Sequence, residues 1–315
     1  MKIYLNYHRL SLIGLFQWLT LLPLLAQDLD PRAYLWLPIK TTTIVTGYAY
    51  STGAVLTDPT LPITDLDATV QSASFGIVHN FNLFGLTSQA MVALPYSWAQ
   101  VSGKVSGQPR QEYRSGLADS RMRLTVLVKG GPSSGLAEVM KAPRRTVIGV
   151  SMNLIAPTGQ FFSDKLINLG TNRWSFRPEL AISKPLGKRW LMDIYSGCWF
   201  FTANNTFFPG SSLRTQEPMG AFQTHFSYNI TPRFWVAINW TYYVGGTSSL
   251  NGKYNDDRVN NTRIGLTAVM PVGKANSIKL AMSTGAIVRV GQDFTTFSFG
   301  WQRSWIGKSK FDLKD

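Results

Sequence analysis

A chain of 315 residues with a formal charge of +14, 15% charged side chains and 13% aromatics is poorer in charge than a soluble domain, for which about 25% is usual. Its cations are scattered, without a longer Lys/Arg run or a recognition motif, which argues against nucleic acid as a partner. The single cysteine, Cys198, excludes a disulfide framework and any multi-cysteine metal site.

Lys2, His8 and Arg9 precede a leucine-rich stretch from Leu10 to Ala26, broken by Gln17 and Thr20. A basic start, an uncharged apolar stretch and a small last residue predict a secretory signal peptide over 1–26, cut before Gln27. No Cys follows, so a lipoprotein anchor is not expected. Beyond it no window reaches the ~18 consecutive apolar residues of a membrane helix. Apolar residues recur instead at every second position, the weak alternating signal of a membrane-spanning strand.

Residues 27–42 read as an N-terminal periplasmic or lumenal segment, 43–306 as an outer-membrane barrel and 307–315 as a tail. Strand centres are predicted near Gly47, Phe75, Val92, Leu124, Val150 and Leu180, then near Ile194, Phe226, Ile238, Leu266, Leu280 and Phe299. The clearest run is Phe234–Val244, where Phe234, Val236, Ile238, Trp240, Tyr242 and Val244 alternate with small or polar residues. Such a strand turns one apolar, aromatic-ended face to lipid and the other to a wet lumen. Short turns are predicted at Pro185–Lys188, Thr231–Arg233 and Pro271–Lys274, recurring at roughly 45 residues, the length of a hairpin with one short and one long connection. Long extracellular connections are expected over 52–68, 100–116, 157–172, 203–218 and 246–260, and a small helical turn over Leu136–Met140. The last strand carries Phe297, Phe299, Trp301 and Trp305 on one face. The fold class is therefore all-β, a transmembrane antiparallel up-and-down barrel of about twelve strands. A soluble sandwich would bury these faces and carry more charge outside.

From Gln27 onward the chain resembles the bacterial outer-membrane family named for the MetA-pathway of phenol degradation. The resemblance rests on Asp28-Leu-Asp-Pro-Arg-Ala-Tyr34, Val45-Thr-Gly-Tyr-Ala-Tyr-Ser-Thr-Gly-Ala54 and Gly116-Leu-Ala-Asp-Ser-Arg121. It is most specific over Ile167–Leu180, through Ser183–Gly187 to Trp199–Thr202, and continues in Tyr242–Gly246, Asn255–Arg258 and Ser283–Gly285. It covers essentially the whole mature chain and implies a barrel with a transport role. The family name reflects genomic neighbourhood, so phenol itself is not implied as the substrate.

Parity places Asp119, Arg121, Arg123, Arg177, Glu179, Asp193, His225, Arg263, Lys279 and Arg289 on the polar, lumen-facing side. Charges in a narrow barrel must be paired or hydrated. They are read either as a salt-bridge network or as a solute-selecting lining, and the excess of Arg and Lys favours anions. His225 and Ser227, two apart, resemble the pair of an outer-membrane phospholipase, but here they share a face with Gln223 and Asn229, which places them in the lumen. Asn255–Arg258 lacks the spacing of a calcium loop, and His79 and His225 are far apart, so neither a metal nor a cofactor is expected. The function read from these residues is passage of a small solute, aromatic or anionic, through a charged lumen. Two alternatives are a lipid hydrolase built on His225 and Ser227 and a structural or adhesion barrel with a plugged lumen. The expected partners are outer-membrane lipid or lipopolysaccharide and the solute, with the chain a monomer.

Overall fold

The computed structural model describes residues 29–56, 63–105, 107–208 and 210–307. The expected signal peptide, and all of the tail after Gly307, lie outside these residues. In chain order the wall begins with β1 (Thr41–Leu56), β2 (Ile63–Leu83), β3 (Leu86–Val105), β4 (Gln108–Leu117) and β5 (Ser120–Lys129). A short helix, α1 (Leu136–Lys141), comes before β6 (Val147–Ala156), β7 (Ser175–Leu186) and β8 (Trp190–Phe201). β9 (Asn204–Phe207) and β10 (Ser212–Gln216) leave the wall, and β11 (Met219–Asn229) and β12 (Trp235–Gly245) rejoin it. After β13 (Ser248–Leu250) and β14 (Lys253–Tyr254), the wall is completed by β15 (Val259–Val272), β16 (Asn276–Ile287) and β17 (Gly291–Ile306).

All neighbours pair antiparallel, and β17 returns to β1 from Thr41↔Ile306 to Leu56↔Gly291. β3 pairs with β4 along Tyr96–Val105 and with β5 along Ser88–Ala93, so β4 and β5 are one strand broken at Ala118 and Asp119. The 13 wall segments therefore make a closed barrel of twelve strands. Closure is what the membrane demands, because lipid cannot satisfy an exposed backbone edge. Every predicted strand centre falls inside a wall strand, and the facing follows the alternation. In β12, Ile238 and Trp240 are 65% and 41% exposed toward lipid, while Ala237, Asn239 and Thr241 are buried inside.

Two predicted features differ. Residues 100–105 and 108–116 pair as adjacent antiparallel strands, and β1 and β2 likewise run on into 52–68. Beyond the membrane, pairing needs no apolar alternation, and polar neighbours bond across it, as Thr52 does with Thr69. Two of the three turn prolines belong to the strands, with Pro185 opposite Leu191 and Pro271 opposite Ser277, while Pro232 stays in the turn between β11 and β12. The reversals are made by Gly187 and Gly273 at φ 64° and 65°, a region cheap for glycine and closed to the proline ring. At the long-loop end β9, β10, β13 and β14 form a separate four-stranded sheet.

The segment before β1 turns into the barrel from the short-turn end. Tyr34 is fully buried in a cluster with Leu127, Val147, Ala181 and Tyr195. Gly149 makes room for it, since a Cβ there would stand 2.5 Å from Tyr34 Cδ1.

Candidate functional site

The inward register of β5 and β7 aims Arg123, Arg177 and Glu179 at one point, each below a tenth exposed. A carboxylate that deep needs partners, and Glu179 has three. The Tyr34 hydroxyl donates to it at 2.8 Å, and the guanidinium nitrogens of Arg177 and Arg123 lie at 3.3 and 3.9 Å. Both arginines also face aromatic rings, Arg123 that of Tyr34 at 4.6 Å and Arg177 that of Trp199 at 4.8 Å. Asp30 then crosses the lumen, pairing with Arg123 on β5 at 3.4 Å and with Lys279 on β16 at 3.2 Å. Those strands stand on nearly opposite walls. Asp193 accepts from the Ser183 hydroxyl and from the Arg32 N–H at 3.1 Å. A cavity of about 130 Å³ remains between Asp30, Arg121, Arg123, Arg177 and Glu179.

The other predicted residues are scattered around this network. His225 is fully buried, with Nδ1 2.8 Å from Asn239 Oδ1 and Nε2 3.2 Å from Gln223 Oε1. Ser227 faces the same way and is equally buried, with no path to lipid. Arg263 donates to the Phe294 carbonyl at 2.7 Å. Asp119, at the break between β4 and β5, accepts from the N–H groups of Gly159 and Thr171 at 2.9 and 2.8 Å and latches the 157–172 connection over the mouth. The adjoining Arg173 guanidinium has its pKa lowered to about 10 by burial and then by neighbouring Arg214, with Asp119 pulling the other way. Arg289 departs from the expected register. β16 ends at Ile287, so Arg289 lies in the connection to β17, donating to the Arg258 carbonyl at 2.6 Å and pairing with Asp256.

A second cavity, about 400 Å³, opens toward the long loops. Its walls are Leu66, Ala68, Val70, Ala99, Val101 and Phe294, with Ile167 and Leu169 from the latched connection as its roof. Of its serines, Ser72 and Ser97 bond each other and Ser51 bonds Thr296, while Asn168, Gln292 and Arg121 add further polar lining, so the chamber presents apolar and polar surface together. Arg121, exposed to the lumen, lines both cavities and stands between them.

Sequence reasoning missed this chamber and the roles of Asp30, Arg32 and Tyr34. One signal was present. More arginines than acids fell on the inward face, so a carboxylate had to arrive from elsewhere, and Asp30 supplies one.

The model of the family described as "Putative MetA-pathway of phenol degradation" matches residues 52–304. No curated protein sequence matches the chain. Among solved structures, the COG4313 outer membrane channel from Pseudomonas putida F1 is 23% identical, covers 88% of this chain and 100% of its own, and superposes with a TM-score of 0.76. The transport unit of the autotransporter AIDA-I from Escherichia coli is 9% identical over 90% of this chain and 93% of its own, with a TM-score of 0.51. These are likenesses of fold, and with the family match they place the barrel in the outer membrane.

Proposed function

The chain belongs to the MetA-pathway phenol-degradation family, and from that premise we propose that it is an outer-membrane channel for a small solute with an aromatic body and an anionic group. The observation that carries this reading is the position of Arg121, shared between a partly apolar chamber of about 400 Å³, walled by Leu66, Val70, Val101 and Phe294, and the charged cavity beyond it. A cavity of ~150 Å³ holds one benzene, so the chamber has room for a substituted ring with its anion toward Arg121. The charged network then offers the next anion site along the lumen. The reading is of a passage and not an enzyme, because His225 and Ser227 face inward and His225 is bonded to the amides of Asn239 and Gln223.

Single-channel current in planar bilayers tests it. Benzoate should interrupt the current where acetate does not, and Arg121→Gln should weaken the interruption by about tenfold, ~1.4 kcal/mol of binding. Equal effects of benzoate and acetate would overturn the aromatic part, and an unchanged Arg121→Gln variant the anionic part. The bridge from Asp30 to both walls favours one second reading, a plugged barrel. A silent wild type that conducts only after Asp30→Ala and Tyr34→Ala would establish it.

A further inference from the structure

The two ends of the barrel treat their charges differently. At the long-loop end several cations pair with acids: Lys104 with Asp65, Arg114 with Glu112, Lys165 with Asp164 and Arg289 with Asp256. At the short-turn end, which faces the periplasm in barrels of this kind, Arg144 and Arg145 follow α1, and Lys188 and Arg189 make the β7–β8 turn. Arg233 and Lys274 occupy the next two turns. Among the described residues of these turns the one carboxylate is Glu138, whose Oε2 accepts from the Gly135 N–H. No salt bridge joins any of these cations to an acid among the described residues. Arg144 donates instead to the carbonyls of Gly187, Lys188 and Trp190, clasping the turn. Arg189 donates to the Tyr228 hydroxyl at 2.9 Å. Such bonds fix the guanidinium groups and leave their charge uncompensated.

The cations also sit where the apolar wall meets water. Trp190 and Tyr228, rings 4.8 Å apart, end the lipid-facing side at this turn, as aromatic girdles do. Lys184 shares the outward parity of Ile182 and Leu186, and Arg303 that of Trp301 and Trp305. Neither makes an ion pair among the described residues. A cation on the lipid side is costly unless its long stem carries the charge to a polar headgroup. Nearby, α1 buries none of its residues and leaves Leu136 and Met140 exposed beside Lys141, the pairing of apolar and basic side chains that suits a segment lying on a bilayer surface.

We propose that this rim is a docking surface for anionic phospholipid headgroups of the periplasmic leaflet, with a lipid phosphate held by Lys184, Lys188 and Arg189 beside the Trp190–Tyr228 pair. Anionic lipid supplies a counter-charge that the described residues of these turns do not, and the headgroup layer lies at the height of these residues. The site is independent of the solute proposed for the lumen.

The test uses the full chain folded in phosphatidylcholine vesicles, with brominated phosphatidylglycerol or brominated phosphatidylcholine added to quench tryptophan fluorescence. Trp190 reports from the site itself. The wild type should favour phosphatidylglycerol by about three- to tenfold at low salt, less as salt screens the charges. The K184Q/K188Q/R189Q variant should show a ratio near one, while K104Q/K165Q/K253Q at the opposite end should keep the wild-type ratio. Arg144 is left in place because it holds the turn. Should the triple variant not fold, Lys188→Gln alone should lower the preference by a measurable part. Equal quenching by both lipids in the wild type would overturn the proposal. So would a preference that survives the rim substitutions, or one lost equally in both variants, which would mean net charge alone.

Discussion

Between β5, β7 and β8 the inward positions are taken by Arg123, Glu179 and Asp193, whereas between β2, β3 and β17 they are taken by Ala68, Ala99 and Phe294. In the first region every charge is deep enough to require a partner, and the barrel wall alone does not supply enough. The N-terminal segment completes the set with Asp30, the Arg32 N–H and the Tyr34 hydroxyl, and what remains open beside them is a cavity of about 130 Å³. In the second region the neighbouring hydroxyls satisfy one another, Ser72 with Ser97 and Ser51 with Thr296, and small side chains leave a chamber of about 400 Å³. The same inward parity thus yields a packed, interlocked half and an open one. Polar lining in a narrow barrel favours closure by its own chain, and apolar lining favours room for something else.

The largest expected effect tests the interlocked half. Glu179→Gln keeps the shape but removes the buried anion shared by Arg123 and Arg177, leaving Arg123 to Asp30 and taking from Arg177 the carboxylate 3.3 Å away. A loss of about 3 kcal/mol is expected, read as a lower urea midpoint for unfolding from lipid vesicles. A change under about 0.5 kcal/mol would mean that lumen water compensates the pair and that the network is a wet lining.

Next comes the seat of Tyr34. Gly149→Val sets a side chain where Tyr34 Cδ1 already stands, so the strap must leave or the wall must bend. Overpacking of this sort costs about 1–3 kcal/mol. Expulsion of the strap should also raise single-channel conductance, whereas a stability loss at unchanged conductance would show the strap holding and the wall yielding.

The open half should respond in the other direction. Ala99→Trp fills the chamber from its wall without touching an ion pair. Stability should move by less than about 1 kcal/mol, because the added ring occupies existing space. Interruption of the current by benzoate should fall by about tenfold, matching ~1.4 kcal/mol of lost binding. An unaltered response would separate the chamber from the solute's path.

Legibility in the sequence follows from the same contrast. The wall could be read because lipid imposes an apolar residue at every second position, and Phe234–Val244 shows this without help from any other strand. Arg123, Arg177 and Glu179 could be placed inward by the same parity. Their pairing could not be read, because Asp30 meets Arg123 across 93 residues and Lys279 across 249. The chamber escaped because Leu66, Ala68, Val70 and Val101 are apolar on the inward face, where alternation leads one to expect polar residues. The pairing of 100–105 with 108–116 escaped for a related reason, since outside the membrane pairing continues without an apolar face to announce it.

Arg289 gives the smallest expected effect and sharpens the boundary of the lumen. Inward parity placed it with Arg263 and Lys279, but it stands past the end of β16, joined to Asp256 with side chains 41% and 64% exposed. Exposed pairs contribute about 0–1 kcal/mol and weaken with salt. Arg289→Gln should therefore shift the urea midpoint by no more than about 0.5 kcal/mol and leave anion preference unchanged. The loss should stay near the top of that range at low salt, because the second guanidinium nitrogen also donates to the Arg258 carbonyl and ties two extracellular connections together. Reversal potentials under a salt gradient check the other half of the claim. A change in anion preference comparable to that of Arg121→Gln would mean that the solute's path extends outward past Arg289, and that the charged part of the lumen reaches the extracellular surface.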